Sequence, residues 1–543
     1  MNADIVLKSN VIYDGRRRDV FPGGVAITGN RITAVGSAEE IDALIGPETR
    51  VLEYEDKLIM PGIIDNHVHV TMGAMIHSND IDLTGTRSAE ECVEMVRDYL
   101  ARVPDAPMVY AQGWMLNVWD NKKDYPTKQM LDAISTEIPI CLGTADGWNF
   151  WVNSKALETF GYTKESVDEA QSWYVKKDKD GELTGILYNL GCTPAYFCML
   201  DLDPEEAKPM ILSSLEKYNQ YGITAAGDVS NEWVIEREPA GFKLYRDLEQ
   251  AGKLNVRIYV YPSIGKTTDF SKAHELQKQY SDGYVRMLGL KAYQDGVIDS
   301  YTGVMVDPYL DDPEQPDRNG EPMFTQEALN EIVTAANADG FPVRIHCTGD
   351  GSTRMSLNAF EASIKANGRH GLRNGIEHIE ACKPVDRPRF AELEVMANKQ
   401  PGHFLLCDED WYIEALGQEN WHEIHPFKCL LDAGAPMSLS TDFPIIEINP
   451  FSNIYAAVTR RLFDGTPLGD NPEDCLDIYD ALYGYTYMGA YGMGLEDSLG
   501  SLEAGKLADV AVINGRVVDE APEELLDRKA LLAIMDGKIV YEA

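Results

Sequence analysis

The chain has 543 residues and a formal net charge of −40, from 48 basic and 88 acidic side chains. Hydrophobic residues make up 44% and charged residues 25%, an ordinary globular balance that excludes disorder as the main state. A mean hydropathy of −0.27 without a long apolar run argues against a membrane span, and so acidic a surface repels nucleic acid and anionic lipid.

In chain order, the first residues, MNADIVLKSNVIYDG, carry charges where a secretory leader needs an apolar stretch. The nine cysteines are scattered without CxxC spacing. Neither a disulfide framework nor a cysteine zinc site is read from them, and a reducing, cytoplasmic setting is expected. Short strands are predicted in ADIVLKSNVIYDG and GGVAITGNRITAVGS, with Gly29-Asn30 as a turn signal. The C-terminus has the same rhythm in ADVAVINGRVVD and LLAIMDGKIVYEA, with Asp536-Gly537 as a hairpin turn. The two ends are expected to form one small composite β-sandwich from residues 1–58 and 497–543.

Between them, residues 59–496 alternate short apolar strands with helix-like stretches, the pattern of βα repeats on a parallel sheet. Strands are predicted at 63–70, 222–228, 256–262, 287–295, 342–347, 375–379, 395–400 and 435–442. Eight is the number a closed (β/α)8 barrel needs, so the fold class is α/β, a TIM-type barrel. Residues 75–205, between the first and second strands, are far too many for one βα connection. That stretch is rich in Trp and Tyr and has strand candidates of its own. It is read as an inserted subdomain over the active-site mouth.

His67 and His69 stand at i and i+2 in a strand, so both side chains take one face and make half a site for a divalent metal. Lys291 lies late in the fourth predicted strand, His346 ends the fifth, His378 the sixth and Asp442 the eighth. All are at C-terminal strand ends, where barrel enzymes keep their catalytic groups. Each alone has a bland reading: a hydrogen-bonded core His, a snorkelling Lys, a helix-capping Asp. The joint placement points to a metal site. Asp350 either orients a ligand His or caps a helix. His403 either meets substrate or sits on a solvated loop. Trp114, Trp148 and Trp151 either line an apolar pocket or pack structurally. His422 and His425 receive no role.

The segment PGIIDNHVHV resembles the opening motif of the amidohydrolase superfamily, and the ordered set HxH, Lys, His, His, Asp is similar to that of its binuclear-metal members. More narrowly, the chain resembles the YtcJ-like branch, which includes N-substituted formamide deformylases. The segments that carry this are GWMLNVWDNKKDYPTKQMLDAIS, WVNSKALETFGYT, LKAYQDGVIDSYTGVMVDPY, IHCTGDGS, STDFPI and SLEAGKLADVAVI. Trp148 departs from the branch, which usually has a His there. The resemblance implies two divalent ions, zinc first by ligand chemistry, bridged by carboxylated Lys291. His67, His69 and Asp442 would hold one ion, and His346 and His378 the other.

It further implies a hydrolase of a small molecule's C–N bond, in an amide or an N-acyl or N-formyl amine. A metal-bound hydroxide would attack, and Asp442 would serve as general base and then acid. A ring deaminase on the same fold is the competing reading. Such enzymes usually place a Glu near the position held here by Gly349 and need no strand-four Lys. A catalytically silent binding or regulatory protein is the third, and it requires lost ligands. No nucleic-acid or membrane partner is expected, and a homodimer is left open as the assembly.

Overall fold

The computed structural model describes residues 2–543 except 77–80, 117–118, 122–124, 146, 148, 169–173, 201–202, 230–239, 312–315 and 470. The chain divides into two compact units, one of Met1–His69 with Leu212–Ala543 and one of Val70–Ile211.

In the first unit, strands from both chain ends form one eight-stranded sheet. Leu58–Pro61 pairs in parallel with Ile5–Ile12 and antiparallel with Val510–Ile513, so N- and C-terminal segments share a ladder. Alternating residues such as Leu7, Val25, Ile27, Ile59, Val510, Val512, Leu532 and Ile534 bury one core. Asp536 and Gly537 both have positive φ, 55° and 76°, as a two-residue hairpin turn of this hand requires. Arg257 joins the sheet to the rest of the unit: its guanidinium donates to both oxygens of Asp509, at 2.9 and 3.0 Å, and to Asp536 at 2.9 Å.

The rest of that unit is built on parallel strands. They are β1 (Ile63–Val68), β2 (Ile223–Val229), β3 (Arg257–Tyr261), β4 (Val285–Met287), β5 (Leu290–Tyr293), β6 (Val343–Cys347), β7 (Gly375–His378), β8 (Met396–Lys399) and β9 (Met437–Leu439). One point of the barrel expectation is corrected. The strands form a four-stranded ladder, β1 to β4, and a five-stranded ladder, β5 to β9, rather than one closed sheet. The predicted fourth strand is interrupted at Leu288-Gly289 and supplies both β4 and β5.

Individual backbone bonds bridge the two seams. At one, Lys291 N–H donates to Pro262 O and Ile264 N–H to Lys291 O, at 2.9 and 2.8 Å. At the other, Asp442 N–H donates to His67 O and His69 N–H to Phe443 O, at 2.9 and 2.8 Å. Regular ladders fail there for local reasons. Pro262 has no N–H to give, and Asp442 has left the extended region with a φ of 61°. Helices between strands show the expected apolar stripe. Gln326–Ala338 buries Leu329, Ile332, Val333 and Ala336, and the Thr325 side chain caps its first turn.

The second unit carries a five-stranded sheet ordered Val175–Lys177, Leu183–Tyr188, Asn149–Val152, Ile140–Thr144, Val109–Trp114. Trp114 and Trp151 pack in its core with Trp119, Leu131, Leu142 and Val96. The Trp114 indole N–H donates to Leu142 O, and that of Trp151 to Thr127 O, each at 2.8 Å. The Trp114 ring, left open between a pocket and structural packing, is part of this unit's own core. Trp148 lies outside the described residues. Trp114→Ala is expected to destabilise the unit by about 3–5 kcal/mol, as large-to-small core changes do. Faster limited proteolysis within residues 70–211 would register it, and an unchanged cleavage rate would count against this packing role. Among the described residues, no helix is long and apolar enough to cross a membrane.

Candidate metal centre

Six side chains from five strand ends meet in the first unit. His67 and His69 come from β1 and the residue after it, Lys291 from β5, His346 from β6, His378 from β7, and Asp442 from just past β9. None is more than 8% exposed. The His67 ring lies 5.5 Å from that of His69 and 4.9 Å from that of His378, and the His346 and His378 rings are 4.4 Å apart. His378 and Asp442 hold left-handed backbone, with φ of 69° and 61°. Such positions turn a side chain off the strand direction and cluster at functional sites.

The hydrogen-bond partners settle which ring nitrogens keep a lone pair. A carbonyl oxygen only accepts, so a ring nitrogen bonded to one carries the proton. His69 Nδ1 donates to Val229 O at 2.7 Å, which leaves the lone pair on Nε2, 3.2 Å from Asp442 Oδ1. His346 Nε2 donates to Gly296 O at 2.9 Å, which leaves the lone pair on Nδ1. His67 Nδ1 lies 2.5 Å from the Glu377 carboxylate, and its Nε2 lies 3.4 Å from Asp442 Oδ1. His378 Nδ1 has no hydrogen-bond partner among the described residues and lies 3.7 Å from Asp442 Oδ2. Burial holds the His67, His346 and His378 rings neutral. It lowers His67 to about 3, helped by the Lys291 charge, and puts His346 and His378 well below the ordinary imidazole value.

His403 differs. It sits in the turn Pro401–Leu406 after β8, with Nδ1 2.9 Å from Glu380 Oε1 and Nε2 2.9 Å from Asp442 Oδ2. Burial alone would lower it, but the hydrogen bonds to Asp442 and Glu380 prevail and lift it to about 9. Both nitrogens donate, so the ring is an imidazolium clamp on Asp442. His67, His69 and Asp442 each bring one donor atom within 4.8 Å of the others, and so do His378, His403 and Asp442. In the second set His403 has no lone pair to offer a cation, which makes His346 the better companion of His378.

Lys291 is fully buried, and its Nζ has no hydrogen-bond partner among the described residues. Burial lowers it to about 8 despite the Glu377 carboxylate, which favours the charged form. An unbonded buried amine is costly unless something else completes it. Neutral imidazoles with lone pairs to offer, an ionised carboxylate and this unpartnered amine together fit a divalent-cation centre. Asp442 is held well below the usual carboxylate range. Burial would raise it, but His67 and the His403 bond outweigh that.

Several supporting residues escape a reading of the sequence. Glu377, inside GIEHI, receives both Nε and Nη2 of Arg344, at 2.7 and 2.9 Å, and fixes the His67 tautomer. Asp295 accepts from the N–H groups of Val304, Thr348 and Gly349, at 2.9 to 3.0 Å, and from the Ser352 hydroxyl at 2.6 Å. It thereby shapes the loop that presents Gly296 O to His346. Charged letters within apolar strands, Arg344 and Glu377 above all, were the available signal. Asp350 is the first residue of the helix Asp350–Asn367, where its carboxylate accepts from Val306 N–H at 2.7 Å and faces Lys383 at 3.4 Å. His425 is buried with its Nε2 3.2 Å from Cys407 Sγ.

These features coincide with a match of the amidohydrolase family's sequence model to residues 50–541, and the chain belongs to that family. It is 27% identical to the protein LONG AFTER FAR-RED 3 of Arabidopsis thaliana, over 99% of this chain and 92% of the plant protein. It is 26% identical to YtcJ of Bacillus subtilis, over 94% of each chain. With the N-substituted formamide deformylase of Arthrobacter pascens it shares 25% identity, over 95% of this chain and 94% of the enzyme. An uncharacterized metal-dependent hydrolase from Pyrococcus horikoshii has a similar fold, with a TM-score of 0.74 at 23% identity, over 99% of this chain and 100% of that one.

Proposed function

We propose that the protein is a metal-dependent hydrolase that cleaves a C–N bond in an amide or an N-acyl or N-formyl amine of a small molecule. The observation that carries this reading is the set of tautomers: His67, His69 and His346 are each anchored through one nitrogen and keep a lone pair on the other, beside Asp442 and His378. His67, His69 and Asp442 would hold one divalent ion and His346 and His378 a second, with Lys291, carboxylated, between them. A metal bound there supplies Lewis acidity toward the carbonyl and the attacking water. Asp442 takes the proton of that water and returns it to the leaving nitrogen, which departs poorly unless protonated. His403, bonded to both Glu380 and Asp442, holds the Asp442 carboxylate in place for both transfers. The similarity to a formamide deformylase supports the choice of bond.

Protein prepared with bicarbonate and zinc is expected to carry about two divalent ions per chain, the load a binuclear site takes. It is expected to turn over members of a panel of N-formyl and N-acyl amines. Lys291→Ala should lose most of the metal, and added short carboxylic acids should restore part of the activity by occupying the gap. Fully metallated protein inert across the whole panel would sink the C–N reading. Full metal loading and wild-type turnover in Lys291→Ala would reduce Lys291 to a structural lysine.

A further inference from the structure

We propose that Lys399 is a positioning residue of the candidate centre: with its neighbour Gln400 it clamps the left-handed turn at His378-Ile379 and so aims the His378 ring and the Glu380 carboxylate. This rests on the reading of His378 as a metal ligand.

Lys399 is the last residue of β8 and is fully buried. Its Nζ donates to His378 O and to Ile379 O, each at 2.7 Å. On the other side of the same turn, Gln400 Oε1 accepts from His378 N–H at 3.0 Å. The Gln400 amide N–H donates in turn to Ser440 Oγ at 2.8 Å, two residues before Asp442. Two consecutive side chains of one strand end thus grip both the donor and the acceptor side of the neighbouring turn.

That turn needs gripping. His378 and Ile379 have φ of 69° and 51°, and a β-branched residue rarely adopts this region. Such backbone persists only where the surroundings over-determine it. The next two residues depend on the turn for their direction: the Glu380 side chain reaches His403 Nδ1 at 2.9 Å, and Ala381 N–H donates to Thr348 O at 2.8 Å. Among the described residues no carboxylate is hydrogen-bonded to Lys399 Nζ, which lies 5.2 Å from the Phe427 ring. A buried amino group in such surroundings is a poor filler, since an apolar chain of equal length would avoid its desolvation. Its two carbonyl bonds are the physical reason for a lysine there.

The test is Co²⁺ titration of metal-free wild type, Lys399→Met and Lys399→Gln, read by affinity and visible ligand-field bands, with thermal midpoints of the metal-free proteins. Supporting groups around metal ligands typically control ~10–100-fold in metal affinity. Lys399→Met is expected to lose at least ~10-fold and to shift the bands. Lys399→Gln, which keeps N–H donors, is expected to recover most of both. Wild-type affinity and bands in Lys399→Met would overturn the proposal. So would equal losses in both variants that track a lowered midpoint, the mark of a merely structural lysine. If Lys399→Met does not fold, Gln400→Ala carries the same test with the same expected loss. Wild type that binds no Co²⁺ would remove the ligand reading of His378. The metal-free crystal structure of Lys399→Met then decides: a relaxed turn at 378–379 supports the clamp, and an unchanged one overturns it.

Discussion

Asp442→Asn is expected to lower turnover by at least ~10²-fold and up to ~10⁴-fold, the usual contribution of general acid–base catalysis. The two Asp442 oxygens face different groups. Oδ1 lies 3.4 Å from His67 Nε2 and 3.2 Å from His69 Nε2, and Oδ2 accepts from His403 at 2.9 Å. An asparagine keeps the shape but offers only one acceptor. If its oxygen faces the histidine pair, its NH2 meets the His403 N–H, donor against donor. If the amide flips, the NH2 faces the space between His67 and His69 instead. Either way the side chain can no longer carry a proton. Turnover and metal content should be measured on one preparation, with any substrate found by screening amides. A well-metallated variant within a few-fold of wild type would show that another group carries the proton.

The residues of the candidate centre could be picked out because they lie at or beside strand ends. An HxH pair shares one face of a strand, and His346 in VRIHC, His378 in GIEHI and Asp442 in LSTD each stand at or next to the end of a short strand-like segment. Parallel order then brings those ends together, which local spacing alone does not reveal. The residues that hold the ligands were not legible for the same reason. Arg344 and Glu377 lie on adjacent strands 33 residues apart, and their pairing depends on register. His403 stands on a short turn after Gln400-Pro401, so nothing periodic shows that both of its nitrogens meet carboxylates. Lys399 carries no motif or period that marks it in the sequence, and its role rests on its bonds to His378 O and Ile379 O, across strands. The expectation of one closed ladder failed at Pro262, Leu288-Gly289 and Asp442. An apolar run in the sequence does not reveal where the backbone stops being extended.

Arg344→Met is expected to destabilise the first unit by about 3–5 kcal/mol, the cost of breaking a buried ion pair from one side. Arg344 is 1% exposed, and its guanidinium meets both oxygens of Glu377 and, at 2.7 and 3.0 Å, the backbone and side-chain oxygens of Asn66. Methionine fills a similar volume but, among the described residues, leaves buried Glu377 only His67 Nδ1 and the Asn398 amide, at 2.6 Å, as hydrogen-bond partners. Taking ~2.1 cal/mol/K per residue over a unit of about 400 residues, the thermal midpoint should fall by roughly 4–6 °C.

The loss should depend on pH in a definite direction. Burial would raise the Glu377 carboxyl, but the Arg344 charge prevails and holds it well below the ordinary value. A depressed carboxylate adds stability above its unfolded value of about 4.3, and that stability fades as pH falls below it. In chelator-treated protein, the gap between wild type and Arg344→Met should therefore be full near neutrality and narrow as pH falls below ~4.3.

Adding Glu377→Leu to Arg344→Met removes the stranded charge, so the double variant should regain much of the midpoint, as apolar replacements of buried ion pairs often do. It should not regain the centre. With no carboxylate on Nδ1, His67 is free to turn its lone pair away from Asp442, and Co²⁺ affinity should stay ~10–100-fold below wild type. A double variant that recovers both stability and metal affinity would show that the pair merely fills the interior. One that recovers stability alone would assign the buried Arg344–Glu377 pair to holding His67, at a net cost to the fold.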